Sequence, residues 1–121
     1  MKLYDSELKV MDVLWREGEL PARRVAETLE KAAGWNVNTS YTVIKKCVAK
    51  GAVQRSEPNF LCRALVTREQ VQRAEAGELA AKLFDGAPEQ LFAALLGGRR
   101  LTKEEAARLR RLVDELEEPG C

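Results

Sequence analysis

The sequence of 121 residues contains no histidine and only three cysteines, Cys47, Cys62 and Cys121. The missing imidazole removes the commonest general base and the commonest metal ligand. The cysteines are odd in number and none forms a C-x-x-C pair, so we expect neither a disulfide framework nor a metal site. Nucleophile elbows and phosphate-binding loops are also missing. We therefore predict that the protein is not an enzyme and uses no cofactor.

Long apolar runs are missing as well. No stretch approaches the roughly 18 residues of a membrane span, and the amino terminus lacks a signal-peptide pattern, so the expected location is cytoplasmic. Hydrophobic residues make up 45% of the chain and charged residues 32%, which is typical of a globular protein rather than a disordered one. The length suits one domain, or a small domain with an appendage.

Acidic residues are missing from one part of the chain only. The net charge is +1, which gives no overall preference for nucleic acid. Residues 1–66 carry 11 Lys or Arg against 8 Asp or Glu, whereas residues 67–121 carry 9 against 11. Residues 38–56 contain four basic side chains and no acidic one. The positive charge is therefore local, in one predicted helix and the segment that follows it.

Hydrophobic periodicity predicts two helices at the start of the chain. Asp5 or Ser6 is expected to cap the first helix, and Gly18 marks its end. Pro21 suits the first position of the second helix, which closes at Gly34.

A third helix and a hairpin follow. Asn36 is expected to cap a helix over residues 37–50, which Gly51 ends. Two short strand patterns then flank a turn at Pro58-Asn59. Three helices and a two-stranded hairpin predict a winged helix-turn-helix, so the fold class is mainly α with a small β hairpin. Residues 1–66 are predicted to be a winged-helix DNA-binding domain.

The pattern of residues 67–121 predicts further helices, two of which begin with capping boxes at Thr67 and Thr102. Their apolar stripes would form a larger exposed patch than soluble monomers tolerate. These helices therefore either fold back on residues 1–66 or pair with a second copy, and twofold pairing is the commoner solution. We predict a helical dimerisation domain. Its predicted interface residues are Leu79, Leu83, Phe84, Leu91, Phe92, Leu95, Leu109, Leu112 and Leu116.

Helix 37–50 separates into two faces. The face predicted to point inward comprises Val37, Ser40, Ile44, Cys47 and Val48, with Val43 at its edge. The face predicted to point outward comprises Asn38, Tyr41, Thr42, Lys45, Lys46 and Ala49. Asparagine, threonine and lysine are among the side chains that contact base edges in the major groove. For an isolated helix, a solvated basic face is the simpler interpretation. This helix is the third of a predicted winged helix-turn-helix, and that position favours DNA recognition.

The hairpin supports the same interpretation. It carries Arg55 and Arg63, which suit a wing that contacts the DNA backbone or a minor groove. Tyr41 is open to two interpretations, a DNA contact or a ring that rests on the protein. Trp15, Trp35 and Cys47 are expected to pack inside, and a buried thiol is not a redox sensor. The alternative function is a winged-helix module that binds an acidic protein partner instead of DNA.

Beyond these patterns, the chain resembles the penicillinase and methicillin-resistance repressor family, of the BlaI/MecI type. The resemblance rests on "DSELKVMDVLWREGELPARRVAETL" and "GWNVNTSYTVIKKCVAKGAV", and more weakly on the pattern of the tail. It implies a winged helix joined to a helical dimerisation domain. Such repressors bind palindromic operators as homodimers and block antibiotic-resistance genes. The implied DNA-binding residues are Asn38, Thr39, Tyr41, Thr42, Lys45 and Lys46, to which the charge pattern adds Lys50, Arg55 and Arg63.

The resemblance also implies a membrane-bound penicillin-sensing metallopeptidase as an indirect partner, and cleavage of the repressor at an Asn-Phe bond in the tail. Here Glu78 and Leu79 occupy that position, and Asn-Phe occurs only at residues 59–60 of the predicted wing. Val37 replaces the usual proline, and Tyr41 a basic or amide residue. A lone Cys121 cannot reproduce the four-cysteine site of the copper-responsive members.

Overall fold

The computed structural model describes residues 1–120, so Cys121 lies outside the described residues. Within that range the chain forms six α-helices and three β-strands. In chain order they are α1 (Asp5–Glu17), β1 (Leu20–Pro21), α2 (Ala22–Ala33), α3 (Val37–Ala49), β2 (Val53–Ser56), β3 (Leu61–Ala64), α4 (Arg68–Leu83), α5 (Pro88–Leu95) and α6 (Lys103–Leu116). The architecture is the predicted one, mainly helical with a small antiparallel sheet that includes the wing.

Side chains of α1, α2 and α3 meet in one hydrophobic core. Residues of β2, of β3 and of the start of α4 complete it. Its fully enclosed members include Val10, Met11, Val25, Ile44 and Val53. Trp15 and Trp35 pack against this core, as predicted. The Trp15 Nε1–H also donates a hydrogen bond to the Val66 carbonyl at 2.9 Å. One side of α3 therefore packs on the core, and its other side is exposed to solvent.

The sheet has one strand more than predicted. Its order is β1-β3-β2, all antiparallel, with Leu20 opposite Cys62 and Val53 opposite Ala64. The β2–β3 hairpin was predicted, but β1 was not, because two residues are too few for an alternating pattern. Pro21 is also one position off the prediction. It is extended, with φ −61° and ψ 146°, and occupies the N-cap position of α2, without a side-chain capping hydrogen bond, instead of the first helical position.

Local capping chemistry was predicted correctly for three of the five helix starts that the sequence marked. The Asn36 side chain accepts a hydrogen bond from the Asn38 N–H at 2.7 Å, and both capping boxes form, at Thr67 and at Thr102. The first helix is the exception, and the prediction of Asp5 or Ser6 was wrong. Its cap is Tyr4, whose N–H donates to Glu7 Oε1 at 2.8 Å.

The chain divides into two compact units, Met1–Glu78 and Leu79–Cys121. In the first unit, Val71 of α4 is buried and Arg68 Nη2 lies 2.6 Å from Asp12 Oδ1 of α1, so the beginning of α4 packs with the winged helix. In the second unit none of the described residues is buried. The predicted domain boundary between residues 66 and 67 stays a prediction. No helix in residues 1–120 is long and apolar enough to cross a membrane.

Candidate nucleic-acid interface

Helix α3 is anchored by one side. Ser40, Val43, Ile44 and Cys47 are buried, and Val48 packs at the edge of the core. The prediction for Val37 was wrong, since 45% of this residue is exposed. Val37 is the first residue of the helix, and the core reaches α3 only from its second turn onward. The anchored side therefore begins at Ser40.

The opposite side of α3 is exposed and lacks acidic groups. Asn38, Thr42, Lys45 and Lys46 are exposed, as predicted, and Thr39 is exposed beside them. Lys45 and Lys46 form no ion pair with any residue in the described range 1–120. The Thr42 hydroxyl donates to the Asn38 carbonyl at 2.9 Å, which leaves the threonine methyl as its outward apolar group. A face with free ammonium groups, an amide and a methyl suits the donors, acceptors and thymine methyls of a major groove.

Tyr41 differs from its neighbours because it is half-buried rather than outward. Its ring lies beside the wing, with its centroid 6.1 Å from that of Phe60 and an angle of 65° between the two planes. Both rings pack against the hydrophobic core. The ring therefore rests on the protein, and a contact between Tyr41 and DNA stays a prediction.

The wing presents its two predicted arginines at the surface, each held by a neighbour. Arg55 pairs with Glu57, with 3.0 Å between Nη2 and Oε1, and its guanidinium lies 3.7 Å from the centre of the Phe60 ring. Arg63 donates to Gln54 Oε1 from Nη2 at 2.6 Å and from Nε at 3.1 Å. Both guanidinium groups keep an exposed side, so they remain candidates for contacts with phosphate.

Lys50 has a different position from the one that the charge pattern suggested. Its Nζ lies 2.6 Å from Glu7 Oε1 and 2.7 Å from the Lys2 carbonyl, and 4.4 Å from the centre of the Tyr4 ring. Three partners at the start of the chain therefore occupy the ammonium group. Contact between Lys50 and DNA stays an untested prediction, and we leave this residue out of the candidate interface.

One pair of basic residues was overlooked in the sequence. Arg23 and Arg24 are exposed in the first turn of α2, which contains no acidic residue, and their ion pairs are with Glu27 at 3.7 and 3.8 Å. In helix-turn-helix proteins the helix before the recognition helix crosses the DNA backbone. The sequence signal was the Arg23-Arg24 pair in the first turn after Pro21, which indicates a basic surface as the lysines of α3 do.

The buried thiols have no role at this surface. Burial raises the pKa of Cys47 to about 12, and the nearby Glu7 carboxylate adds to the rise. Burial likewise raises the pKa of Cys62 to about 11. Both groups are therefore neutral thiols at physiological pH and poor nucleophiles. In the described part of the chain, no group of three potential ligands is placed to hold a metal ion.

Known proteins resemble the chain at two levels. Residues 3–115 match the family model described as penicillinase repressor. Among solved structures, the chain is similar to the solution structure of the DNA-binding domain of the repressor BlaI. The identity is 24% and the TM-score 0.53, over 57% of this chain and 87% of that one. At this identity the likeness concerns the fold. No curated protein matches the chain.

Proposed function

The chain belongs to the penicillinase repressor family and is a DNA-binding repressor, and from this premise we propose that it acts as a homodimer on a palindromic operator. The observation that carries the proposal is the exposed, acid-free side of α3, which stands on a rigid core next to a wing. Two such helices would enter successive major grooves about 34–36 Å apart.

Five residues of α3 are proposed to contact bases or the sugar-phosphate backbone directly. Asn38 suits adenine, Lys45 suits guanine acceptors, and the Thr42 methyl suits a thymine methyl. Thr39 lies beside them in the first turn, and Lys46 is placed to reach phosphate. Arg23, Arg24, Arg55 and Arg63 are proposed as backbone contacts around this helix.

The second unit supplies the argument for a dimer. Leu83, Leu95 and Leu116 are 65%, 71% and 74% exposed, and Phe92, Leu112 and Val113 are also exposed. Such a concentration of large apolar side chains is unusual on a soluble monomer. A second copy of the same unit can cover them, because a twofold interface pairs the same surface patch of both subunits. We propose that residues 67–121 form that interface.

Antibiotic-resistance genes are the proposed targets, with a membrane-bound sensor metallopeptidase as the indirect upstream partner. The bond at the family's cleavage position is Glu78-Leu79, inside α4, and the Asn59-Phe60 bond lies in the wing. We therefore propose that release does not use the usual Asn-Phe cleavage in the tail. The test is co-expression with the sensor. Induction while the repressor stays at full length supports the proposal, and a fragment ending at residue 78 contradicts it.

The main experiment is selection from random duplex DNA, followed by a mobility shift and sedimentation. We expect an enriched inverted repeat, bound by two chains. The affinity should fall steeply between roughly 50 and 200 mM salt, because each phosphate contact releases counterions. A protein-interaction module with the same basic face would enrich no sequence, which would reject the specific-operator proposal.

A further inference from the structure

Three residues form a continuous stack between the wing and the recognition helix. Tyr41 extends from α3, Phe60 lies at the end of the wing turn, and Arg55 lies on β2. The Tyr41 and Phe60 rings meet edge to face, with their centroids 6.1 Å apart. The Arg55 guanidinium lies 3.7 Å from the centre of the same Phe60 ring. One aromatic ring thus touches the side chain of the reading helix and the side chain of the wing arginine.

The backbone of Phe60 is held as firmly as its ring. Its φ is +50°, and that of Asn59 is +72°. A bulky residue adopts this left-handed conformation only where surrounding contacts determine it. One such contact is the Phe60 carbonyl, which accepts a hydrogen bond from the Ala22 N–H at 2.9 Å. The start of α2, the wing and α3 therefore converge on Phe60.

We propose that Tyr41 is a positioning residue for operator recognition, which sets the wing against α3 through Phe60 and Arg55 instead of reading a base itself. The proposal rests on the proposed function, since it assumes that α3 and the wing contact the same DNA. Neighbouring residues of α3 then have different functions. Thr42 and Lys45 select bases, and Tyr41 fixes how far from them the Arg55 guanidinium meets the flanking DNA.

The chemistry of the tyrosine supports this division. The ring is half-buried on the core, and its hydroxyl forms no hydrogen bond with any residue in the described range 1–120. The aromatic body, not the hydroxyl, therefore carries the contact with Phe60. Edge-to-face contact and the cation over the ring both depend on the π system. A phenylalanine at position 41 would preserve the edge-to-face contact with Phe60. A leucine would fill the space without that contact and would leave Arg55 over the Phe60 ring.

The consequence concerns which base pairs lose selectivity. If the stack is removed, the wing loses its fixed position, and the preference at flanking positions and the backbone protection there decline. The central positions read by α3 keep their preference. A general loss of stability would instead weaken binding to all sequences equally, so the two effects are separable.

The experiment compares Tyr41→Phe, Tyr41→Leu, Phe60→Leu and the Tyr41→Leu/Phe60→Leu double variant. The full-length protein is used with the selected operator, with hydroxyl-radical footprints and base-by-base competition. Leucine is chosen over alanine so that each variant keeps an apolar side chain in place and folds. Circular dichroism melting defines a temperature at which all variants are folded, and binding is compared there.

We expect Tyr41→Phe to bind within about twofold of the original protein. Each leucine variant should bind about 2- to 10-fold more weakly, the range typical of an aromatic pair, with loss of the flanking footprint. Phe60→Leu removes the contacts of Phe60 with both Tyr41 and Arg55, and Tyr41→Leu removes only the first of them. The double variant should therefore bind no more weakly than Phe60→Leu alone. Tyr41→Phe causing a loss of selectivity at one central base pair would overturn the inference, and so would additive losses in the double variant. If the unaltered protein selects no operator, the proposed function itself fails, which is a different outcome from either.

Discussion

Lys50 Nζ at the end of α3 lies 2.6 Å from Glu7 Oε1 in the first turn of α1, where the glutamate is only 2% exposed. The same carboxylate oxygen accepts the Tyr4 N–H that caps α1. A residue that the charge pattern assigned to DNA thus joins the end of α3 to the beginning of the chain. Its contribution is to the position of α3, and the buried carboxylate is the group that depends on it.

Lys50→Met should destabilise the protein strongly. It leaves the Glu7 carboxylate buried without its cation. Breaking one partner of a fully buried ion pair costs about 3–5 kcal/mol, and that figure is the upper bound here because the Lys50 side chain is 29% exposed. The Glu7→Gln/Lys50→Met double variant should recover most of that loss, since it removes both charges. Urea unfolding at one protein concentration measures these differences. Lys46→Met is the matched control on the exposed face, with an expected change within about 0.5 kcal/mol.

The same variants test the role of Lys50 on DNA. If its ammonium group serves the protein interior, the double variant keeps the salt dependence of operator binding. A phosphate contact would lower the slope of log K against log salt by about one. A lowered slope, or Lys50→Met as mild as Lys46→Met, would return Lys50 to the interface.

Glu7 also makes stability depend on pH in a predictable direction. Burial alone would raise the pKa of its carboxyl, but hydrogen bonds from Lys50 and the Tyr4 N–H and the charges of Lys50 and Lys46 lower it below the ordinary 4.5. The stabilisation is therefore complete above pH 4.5 and is lost as the pH falls through the lower folded-state pKa. Unfolding midpoints between pH 7 and pH 3 should decline less in the Glu7→Gln/Lys50→Met variant. Parallel curves for the two proteins would contradict this assignment.

The features that the sequence predicted correctly depend on residues that are close together in the chain. Asn36 caps α3, and Thr67 and Thr102 open their helices, because a capping side chain bonds a backbone N–H two or three residues away. The exposed side of α3 follows from helical periodicity in the same way.

The pairings that the sequence did not indicate have the opposite cause, since each depends on a partner distant in the sequence. Lys50 lies 43 positions from Glu7, and the two-residue β1 exists only because β3 pairs with it. Tyr41 sits on the outward side of the periodic pattern, yet the wing residue Phe60 covers part of it. No local pattern contains these pairings, so they required the tertiary structure.

Thr42→Ala and Lys45→Ala should each relax the preference for one base pair of the operator. Each good base contact is worth about 1–3 kcal/mol of discrimination, and the Thr42 methyl and the unpaired Lys45 ammonium are the groups removed. Competition with operators changed at single positions measures the loss. Lys9→Ala removes an exposed charge from α1 and is the control for a general effect of charge. Unchanged discrimination in both α3 variants would move the reading surface to another part of the domain.

Cys47 and Cys62 should resist alkylation as long as the protein is folded. Their raised pKa values, about 12 and about 11, leave almost no thiolate near pH 8, and both side chains are buried. A Cys121→Ser variant isolates these two thiols. We expect mass spectrometry to find no iodoacetamide adduct in the native variant and two adducts in urea. Rapid labelling of the folded variant would show that one of them is accessible and reopen a redox role.

Leu112→Glu should convert the proposed dimer into a monomer. The residue is 50% exposed on the apolar side of α6, between Leu109 and Leu116, so a carboxylate there would be buried without a partner on pairing. Ala107→Glu adds the same side chain to the opposite, solvated side of α6 and should leave the dimer intact. Sedimentation at micromolar concentration separates the two results. The Leu112→Glu monomer should still bind a half-site but lose most of its preference for the inverted repeat, because linked half-sites bind together far more tightly than either alone. A dimeric Leu112→Glu protein would place the interface on another face of the tail.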